Sequence, residues 1–232
     1  MGIRSLFGSL REKIVSKNVR IVFPEGNDER VVRAAARLKF EGLIEPIILG
    51  DATEVRNLLT KLGFADQDYT IINPEDYTDF EHMKQEFVEI RKGKATIEDA
   101  EQLLKDVNYF GVMLVKLGLA DGMVSGAIHS TADTVRPALQ IIKTKPEISR
   151  TSGVFLMNRE TTDQRLIFAD CAINIEPDEQ ELAEIAINTA DTAKIFDIDP
   201  KIAMLSFSTK GSAKASQVEK VQAATRIAKE LR

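Results

Sequence analysis

The sequence lacks tryptophan, has a single cysteine and contains no long apolar run. Tryptophan is absent and aromatic residues make up 6% of the 232 residues, so a base-stacking surface for nucleic acid is not expected. Cys171 is the single cysteine, which excludes an internal disulfide and is typical of a reducing compartment. No apolar run approaches the roughly 18 residues of a membrane span, and the opening MGIRSLFGSLREKI lacks the apolar core of a secretory signal. We therefore expect a cytoplasmic protein that binds no membrane.

The chain also lacks a net positive charge and has few histidine and cysteine ligands for zinc. The net charge is −5, which disfavours general affinity for nucleic acid, so an anionic ligand needs a local basic cluster. The two histidines, His82 and His129, have no cysteine close to them, so neither a zinc site nor an acyl-cysteine nucleophile at Cys171 is expected. Gly26 stands alone where a dinucleotide fingerprint needs three glycines. The sequence predicts no bound metal and no resident cofactor.

Apolar strands alternate with helices along most of the chain. Strands are predicted at residues 19–24, 44–50, 69–73 and 121–128, and helices at residues 27–40, 53–62, 79–91 and 107–119. Asn27 is the expected N-cap of the first of these helices, and Thr96 with Asp99 matches a capping box. This alternation predicts an α/β fold with a mostly parallel sheet.

A polar stretch, KPEISRTSG, is the expected domain boundary. It divides the chain into a first α/β domain, residues 1–147, and a second, incomplete α/β domain, residues 148–232. In the second domain, strands at 154–158 and 165–171 are separated by a spacer of hairpin length. A helix, a buried strand and a last helix are expected at residues 177–196, 202–208 and 216–232.

The most informative segment is GLADGMVSGAIHSTADTVRPALQIIKT, residues 118–144. It predicts a strand at 120–128 that leads into a helix through the polar residues His129, Ser130, Thr131, Asp133, Thr134 and Arg136. Free amides at a helix N-terminus and an arginine fork together favour an anion, above all phosphate.

Pro137 bears on where this helix begins. Proline is tolerated in the first turn of a helix, so Thr134 is the expected N-cap in preference to Ser130. Arg136 would then lie in the first turn beside the free amides.

A second polar loop, SFSTKGSAK, follows the predicted strand 202–208 and contains Ser208, Thr209 and Lys210. Its spacing is not that of a Walker A motif, so a phosphate-binding loop and a solvated loop are both open. Arg91 is a cation at a helix C-terminus, where a stabilising surface role is the default.

Four segments together resemble the phosphate acetyltransferase family: VFPEGNDERVVRAA, GLADGMVSGAIHSTADTVRPALQIIKT, FADCAINIEPD and LSFSTKGSAK. The resemblance implies two α/β domains with a cleft between them, similar to isocitrate and isopropylmalate dehydrogenases. It implies reversible transfer of acetyl between coenzyme A and phosphate in a ternary complex, with CoA and acetyl-CoA as substrates rather than cofactors. A homodimer is also implied.

The same resemblance implies roles for individual residues. Arg136 matches the arginine of the STADTVRP motif and would stabilise charge in the transition state. Arg91 matches a second arginine, and the expected substrate-binding residues also include Ser130, Thr131, Thr134, Ser208, Thr209 and Lys210. The family's base aspartate and a Ser–Arg pair lie in a C-terminal segment beyond the 232 residues, so we expect these residues alone to show no acetyl transfer.

Three other functions are kept open by the residues. Phosphate butyryltransferase shares the architecture, although the segment HSTADTVRPALQIIKT resembles the acetyl enzyme more closely. A decarboxylating dehydrogenase would need metal-binding carboxylates and a nucleotide loop, neither of which is recognisable. A regulatory module that binds acyl-CoA or phosphate without catalysis is the third.

Overall fold

The structure of the chain, a computed structural model, describes residues 6–162, 164–208 and 212–232. The strands are β1 (Arg20–Phe23), β2 (Glu45–Leu49), β3 (Thr70–Ile72), β4 (Gly122–Met123), β5 (Val154–Arg159) and β6 (Gln164–Ala169). The α-helices are α1 (Leu6–Ile14), α2 (Glu29–Phe40), α3 (Ala52–Lys61), α4 (Phe80–Arg91), α5 (Ile97–Leu103), α6 (Val107–Lys116), α7 (Thr131–Ile141), α8 (Glu179–Ile195) and α9 (Ser216–Leu231).

The chain divides into two compact units. The first unit is Arg11–Lys143, and the second unit is Thr144–Arg232 together with the start of α1 up to Leu10. The polar stretch that begins at Lys145 therefore lies at the start of the second unit. In the part of the chain that the structure describes, no helix combines the length and apolar character needed to cross a membrane.

The first unit is built on a four-stranded parallel sheet in the order β3-β2-β1-β4. Ile21 pairs with Gly122 and Val22 with Met123, so β1 lies between β2 and β4. Because all four strands run in one direction, their carboxyl ends meet at one edge, where ligands of open α/β sheets bind. The predicted α/β fold with a mostly parallel sheet is confirmed.

Apolar layers cover both faces of this sheet. On β2, Ile48 packs in a cluster with Val32 of α2. Its neighbour Leu49 belongs to the other cluster, with Phe87 of α4 and Phe110 of α6. Successive side chains of a strand point to opposite faces, so an uninterrupted apolar run suits a strand that is buried on both sides.

Side chains at the N-cap position determine where several helices begin. An aspartate carboxylate accepts hydrogen bonds from first-turn amides in four helices, at Asp28, Asp51, Asp106 and Asp178. The N-cap predicted at Asn27 was therefore one residue too early, because the Asp28 carboxylate reaches the amides that α2 leaves free. The capping box of Thr96 and Asp99 is confirmed, with both reciprocal bonds present.

The second unit contains an antiparallel pair and two helices. β5 pairs with β6 from Val154 opposite Ala169 to Arg159 opposite Gln164, which confirms the predicted hairpin. Within the described residues this pair is the sheet of the second unit, so the parallel sheet belongs to the first unit. α8 packs against β6 and α9, and its face with Ala183, Ile185 and Ala190 is buried.

Two predicted strands differ from the structure. Residues 202–208 were expected to form a buried strand, but they form none, and Leu205 and Phe207 are 83% and 70% exposed. A strand needs a partner ladder, and no described strand pairs with this segment. The strand predicted at 121–128 is limited to Gly122 and Met123, because the following amides turn toward a carboxylate, as the next section describes.

Candidate functional site

A buried carboxylate organises the loop that follows β4. Glu25, on the connection after β1, accepts hydrogen bonds from four consecutive backbone amides, those of Gly126, Ala127, Ile128 and His129, at 2.8–3.2 Å. The ring Nδ1 of His129 lies 2.8 Å from the same carboxylate. Glu25 is 1% exposed. The anion that these amides bind is therefore a side chain of the protein itself, since Glu25 follows β1, the strand that pairs with β4.

The electrostatics of Glu25 follow from these contacts. Burial by itself would raise the pKa of the carboxyl group, but the backbone hydrogen bonds from Ile128 and Ala127 and those from His129 outweigh it. Together they lower the pKa of Glu25 from 4.5 to about 2. The carboxylate is therefore ionised at neutral pH although it is excluded from solvent.

Two further contacts hold the same loop. Arg30 donates from Nη2 to the main-chain oxygen of Ala127 at 3.0 Å, and its guanidinium also pairs with Asp28. Ser125 donates its hydroxyl to Oδ1 of Asn108, a fully buried residue of α6, at 2.6 Å. The loop is therefore fixed from the β1 side and from the α6 side.

These contacts limit which amides of this turn could bind an anion. The amides of residues 126–129 are already bound to Glu25, so they are not available to an external anion. The N-cap of α7 is Ser130, not Thr134, because the Ser130 hydroxyl accepts from the amide of Asp133. Pro137 lies inside α7, where it removes one helix donor, and Arg136 lies beyond the first turn.

The N-terminus of α7 nevertheless presents free polar groups. Ser130 and Thr131 are exposed, and in the described part of the chain the amides of Thr131 and Ala132 have no hydrogen-bond partner. The Ser130 hydroxyl donates to Asp133 at 2.6 Å. This bond lowers the pKa of Asp133, and the charges of Arg136 and His129 act in the same direction.

Thr134 occupies a different environment from the exposed hydroxyls. Its Oγ1 is buried and finds no hydrogen-bond partner among the described residues. A Cβ placed on Gly126 would lie 3.8 Å from this oxygen, so Thr134 packs beneath the loop that Glu25 holds. Thr134 was predicted to bind substrate together with Ser130 and Thr131. In the structure its hydroxyl instead lies under the loop, whereas Ser130 and Thr131 are exposed.

The two arginines singled out in the sequence, Arg91 and Arg136, both act electrostatically on Tyr109. Arg91 donates from Nη1 to the main-chain oxygen of Gln140 at 3.1 Å, and the Tyr109 hydroxyl donates to the Gln140 side chain at 3.0 Å. Burial raises the pKa of Tyr109, while the charges of Arg136 and Arg91 oppose that rise. Arg136 is exposed and makes no hydrogen bond within the described residues. Its guanidinium is available to an anion.

The second predicted loop lies in the second unit. Ser208 accepts from the amide of Ala213 at 3.0 Å, and its oxygen lies 3.2 Å from that of Ser212. Ser208 thus closes its own loop. Thr209 and Lys210 lie outside the described residues, so their role stays a prediction.

The sequence analysis missed the carboxylates that organise loops. Asp170, directly after β6, accepts from the amides of Gly153 and Asn174 at 2.8 and 2.6 Å. Burial would raise its pKa, but these bonds outweigh that effect and lower the pKa to about 2. For both Asp170 and Glu25, the available signal was a carboxylate that closely follows an apolar strand.

Comparison with known proteins gives consistent matches along the chain. Residues 5–232 match the family model described as "Phosphate acetyl/butaryl transferase". The chain is 56% identical to the phosphate acetyltransferase of Bacillus subtilis (strain 168), covering 97% of this chain and 69% of that protein. Its identity to the phosphate acetyltransferase of Staphylococcus aureus (strain Mu50 / ATCC 700699) is also 56%, covering 97% of this chain and 68% of that protein.

Two solved structures are similar over the same region. The crystal structure of a phosphotransacetylase from Streptococcus pyogenes has a TM-score of 0.94 and 81% identity, covering 100% of this chain and 70% of that one. The EutD phosphotransacetylase from Staphylococcus aureus has a TM-score of 0.88 and 55% identity, covering 97% of this chain and 68% of that one.

Proposed function

Since the chain belongs to the phosphate acetyl/butaryl transferase family, we propose that it transfers an acetyl group reversibly between coenzyme A and inorganic phosphate. The observation that carries this function is the 56% identity to a phosphate acetyltransferase over 97% of the chain. That match includes the loop after β4, α7 and the residues around Arg136. The dehydrogenase, regulatory and butyryl alternatives are not favoured by these relatives.

The reaction is an acyl transfer that balances without a redox partner. In one direction the sulfur of CoA attacks the carbonyl carbon of acetyl phosphate, a C–S bond forms, and the C–O bond to phosphate breaks. Phosphate leaves with the electron pair of that bond, and the thiol proton goes to a base. No resident cofactor is required, because CoA and acetyl-CoA are themselves substrates.

Arg136 is the residue that we assign to the phosphate side. It is exposed, and its guanidinium has no hydrogen-bond partner within the described ranges. Its charge and that of Arg91 both act on the pKa of Tyr109. A guanidinium binds phosphate through two parallel donors and stabilises charge as the tetrahedral centre forms. Thr131 and the free amides at the start of α7 add neutral donors, and the Ser130 hydroxyl, which donates to Asp133, would have to exchange that bond to join them.

The test is an acetyl-transfer assay on the purified protein, beside the Bacillus relative, of which the chain spans 69% of the length. Purified protein is mixed with acetyl phosphate and CoA, and thioester absorbance is followed. We expect thioester to form only when both substrates are present, and acetyl-CoA to be consumed when phosphate is added. Absence of transfer in both directions would contradict the function, and a higher kcat/KM with butyryl phosphate would assign the protein to the butyryl branch.

We also propose a homodimer, in the cytoplasm, formed through the outer face of the β5–β6 hairpin. Four apolar side chains stand on that face at paired positions, and 45–58% of each is exposed: Phe155, Phe168, Met157 and Leu166. An exposed apolar patch of this kind marks a protein interface. Sedimentation of the full-length protein should give a dimer, and Phe155→Glu should shift it toward monomer. A monomer before mutation would refute this proposal and leave the enzymatic one intact.

A further inference from the structure

The main chain that leads into α7 is held by one side chain. The amides of residues 126–129 all donate to Glu25, two to each carboxylate oxygen, and Glu25 is 1% exposed. An ionised carboxylate accepts hydrogen bonds and donates none, so it suits four neighbouring N–H groups. The next residue, Ser130, is the N-cap of α7. The main chain is therefore fixed up to the residue at which the helix begins.

Gly126 gives the loop the conformation that this contact requires. Its φ is +111°, a value that residues with a Cβ rarely adopt, and its amide donates to Oε2 of Glu25 at 3.2 Å. A Cβ at this position would lie 3.8 Å from the nearest atom found, Oγ1 of Thr134, so space is not the constraint. The backbone conformation at Gly126 and the carboxylate of Glu25 thus determine the loop from its two sides.

The first turn of α7 depends on this loop for its direction. The other end of the helix is held by Arg91, which donates to the main-chain oxygen of Gln140 at 3.1 Å. In the described part of the chain, the amides of Thr131 and Ala132 have no hydrogen-bond partner. No other helix or strand therefore fixes where these two N–H groups point.

We propose that Glu25 is a positioning residue for phosphate, an inference that rests on the proposed acetyl transfer. By holding residues 126–129, it directs the free donors of Thr131 and Ala132 toward the phosphoryl oxygens that we assign to Arg136. Glu25 itself touches no substrate, because both of its oxygens are bound to the loop. A displacement of about 1 Å can cost on the order of 100-fold in rate, so a shifted loop impairs phosphate binding although Arg136 is intact.

The charge of Glu25 has the opposite effect on phosphate. Like charges repel through space, so a carboxylate close to a phosphate site weakens binding by its charge while it strengthens binding by its position. If repulsion were the larger effect, removal of the charge would tighten phosphate binding. If positioning is the larger effect, the same removal weakens it. The sign of the change in phosphate affinity therefore decides between the two.

The first test is Glu25→Gln, which keeps the length of the side chain and replaces one acceptor oxygen by an NH2 group that cannot accept. We expect the Kd for inorganic phosphate, measured by calorimetry on the purified protein, to rise about tenfold or more. The KM for phosphate should rise in parallel, and the KM for CoA should stay unchanged. A merely structural role would not separate the two substrates in this way.

Gly126→Ala is a second variant, which disturbs the same loop and leaves the Glu25 charge in place. It should weaken phosphate binding and show the same split between the two KM values. The matched control is Asp51→Ala. Asp51 also accepts hydrogen bonds from two amides, those of Thr53 and Glu54 at the start of α3, but α3 follows β2, which β1 separates from β4. The control should lose the stability of one helix cap, about 1 kcal/mol, and retain its affinity for phosphate.

Several results would overturn the positioning role. Unchanged or tighter phosphate binding in Glu25→Gln is one, and an unchanged Kd in Gly126→Ala is another. An equal rise in the KM for CoA, or the same loss of phosphate affinity in Asp51→Ala, would show a general defect instead. Calorimetry needs no turnover, so an unmodified protein that binds phosphate but transfers no acetyl group contradicts the proposed function, while the phosphate affinities of the variants still decide the role of Glu25.

Discussion

Arg91 and Gln140 are joined across 49 residues of sequence by a hydrogen bond of 3.1 Å from Nη1 to the main-chain oxygen. Arg91 is the last residue of α4, and Gln140 stands in the last turn of α7. The carbonyl groups of a last helical turn have no partner within the helix. Arg91 therefore stabilises the C-terminal end of the helix whose N-terminal end faces the predicted phosphate site.

This contact gives Arg91 a structural effect that Arg136 lacks. We expect Arg91→Ala to lower the free energy of unfolding by about 1–3 kcal/mol, the range for a hydrogen bond that involves a charged group, and to reduce acetyl transfer as well. Urea denaturation beside the enzyme assay would detect both effects. An unchanged denaturation midpoint would show that the bond to Gln140 does not stabilise α7.

Arg136→Ala should affect transfer without affecting folding, because this arginine is exposed and unbonded among the described residues. Loss of a bidentate, charge-assisted contact should cost roughly 2–4 kcal/mol of transition-state stabilisation in the full-length enzyme. The control is Arg33→Ala, which removes an exposed arginine of α2 that pairs with Glu29. Turnover near that of the control, with unchanged dependence on phosphate, would remove Arg136 from the site.

Stability should depend on pH through Glu25. Its pKa is lowered from 4.5 to about 2 in the folded protein, so its contribution is fully present above about pH 5 and is lost as the pH falls toward 2. The shift corresponds to up to about 3 kcal/mol. Glu25→Gln should therefore be less stable than the unmodified protein at pH 7, and the difference should shrink toward pH 2. Glu89→Gln, on the exposed side of α4, is the control for replacing a glutamate by glutamine. The prediction is contradicted if the difference in unfolding free energy between Glu25→Gln and the unmodified protein does not vary with pH.

Gly26 is fixed by the close approach of two main-chain segments. A Cβ at this position would lie 2.2 Å from the main-chain oxygen of Leu49, which belongs to the central sheet and has no room to move. Gly26→Ala should cost more than about 3 kcal/mol or prevent folding. Gly63→Ala is the comparison, since Gly63 has a φ of +78° and open space around it, and it should cost about 1 kcal/mol. Similar midpoints for the two variants would contradict this reading.

Cys171→Ser should be tolerated. The Cys171 thiol is half-buried and donates to the main-chain oxygen of Phe168 at 2.9 Å, and a serine hydroxyl can make the same bond. Direct transfer needs no acyl-cysteine. Mass spectrometry of the protein incubated with acetyl phosphate should detect no acetyl group on Cys171. A trapped acetyl-cysteine, or a folded but inactive Cys171→Ser, would establish a covalent route.

The sequence by itself determined the fold class and several local features of this protein. The alternation of apolar runs and helices predicted the α/β fold, Thr96 and Asp99 predicted a capping box, and the spacer after β5 predicted a hairpin. In each case the interacting groups are close in sequence, so the pattern and the contact are visible together. The family was recognisable for a related reason, since the resemblance was carried by four short continuous segments of sequence.

Tertiary structure decided what the polar residues do. Glu25 lies 101–104 residues away from the amides that it binds, and no local pattern indicates that β1 and β4 become neighbours in the sheet. For that reason the sequence predicted free amides at the start of a helix but not the Glu25 carboxylate, which binds four amides before that helix and lies 2.8 Å from the His129 ring. Pro137 misled in the same way, because the Ser130 cap, the buried Ile141 and the bond from Arg91 hold α7 together although a proline stands inside it. Contacts between distant segments outweigh the preferences of single residues when burial and several hydrogen bonds act together.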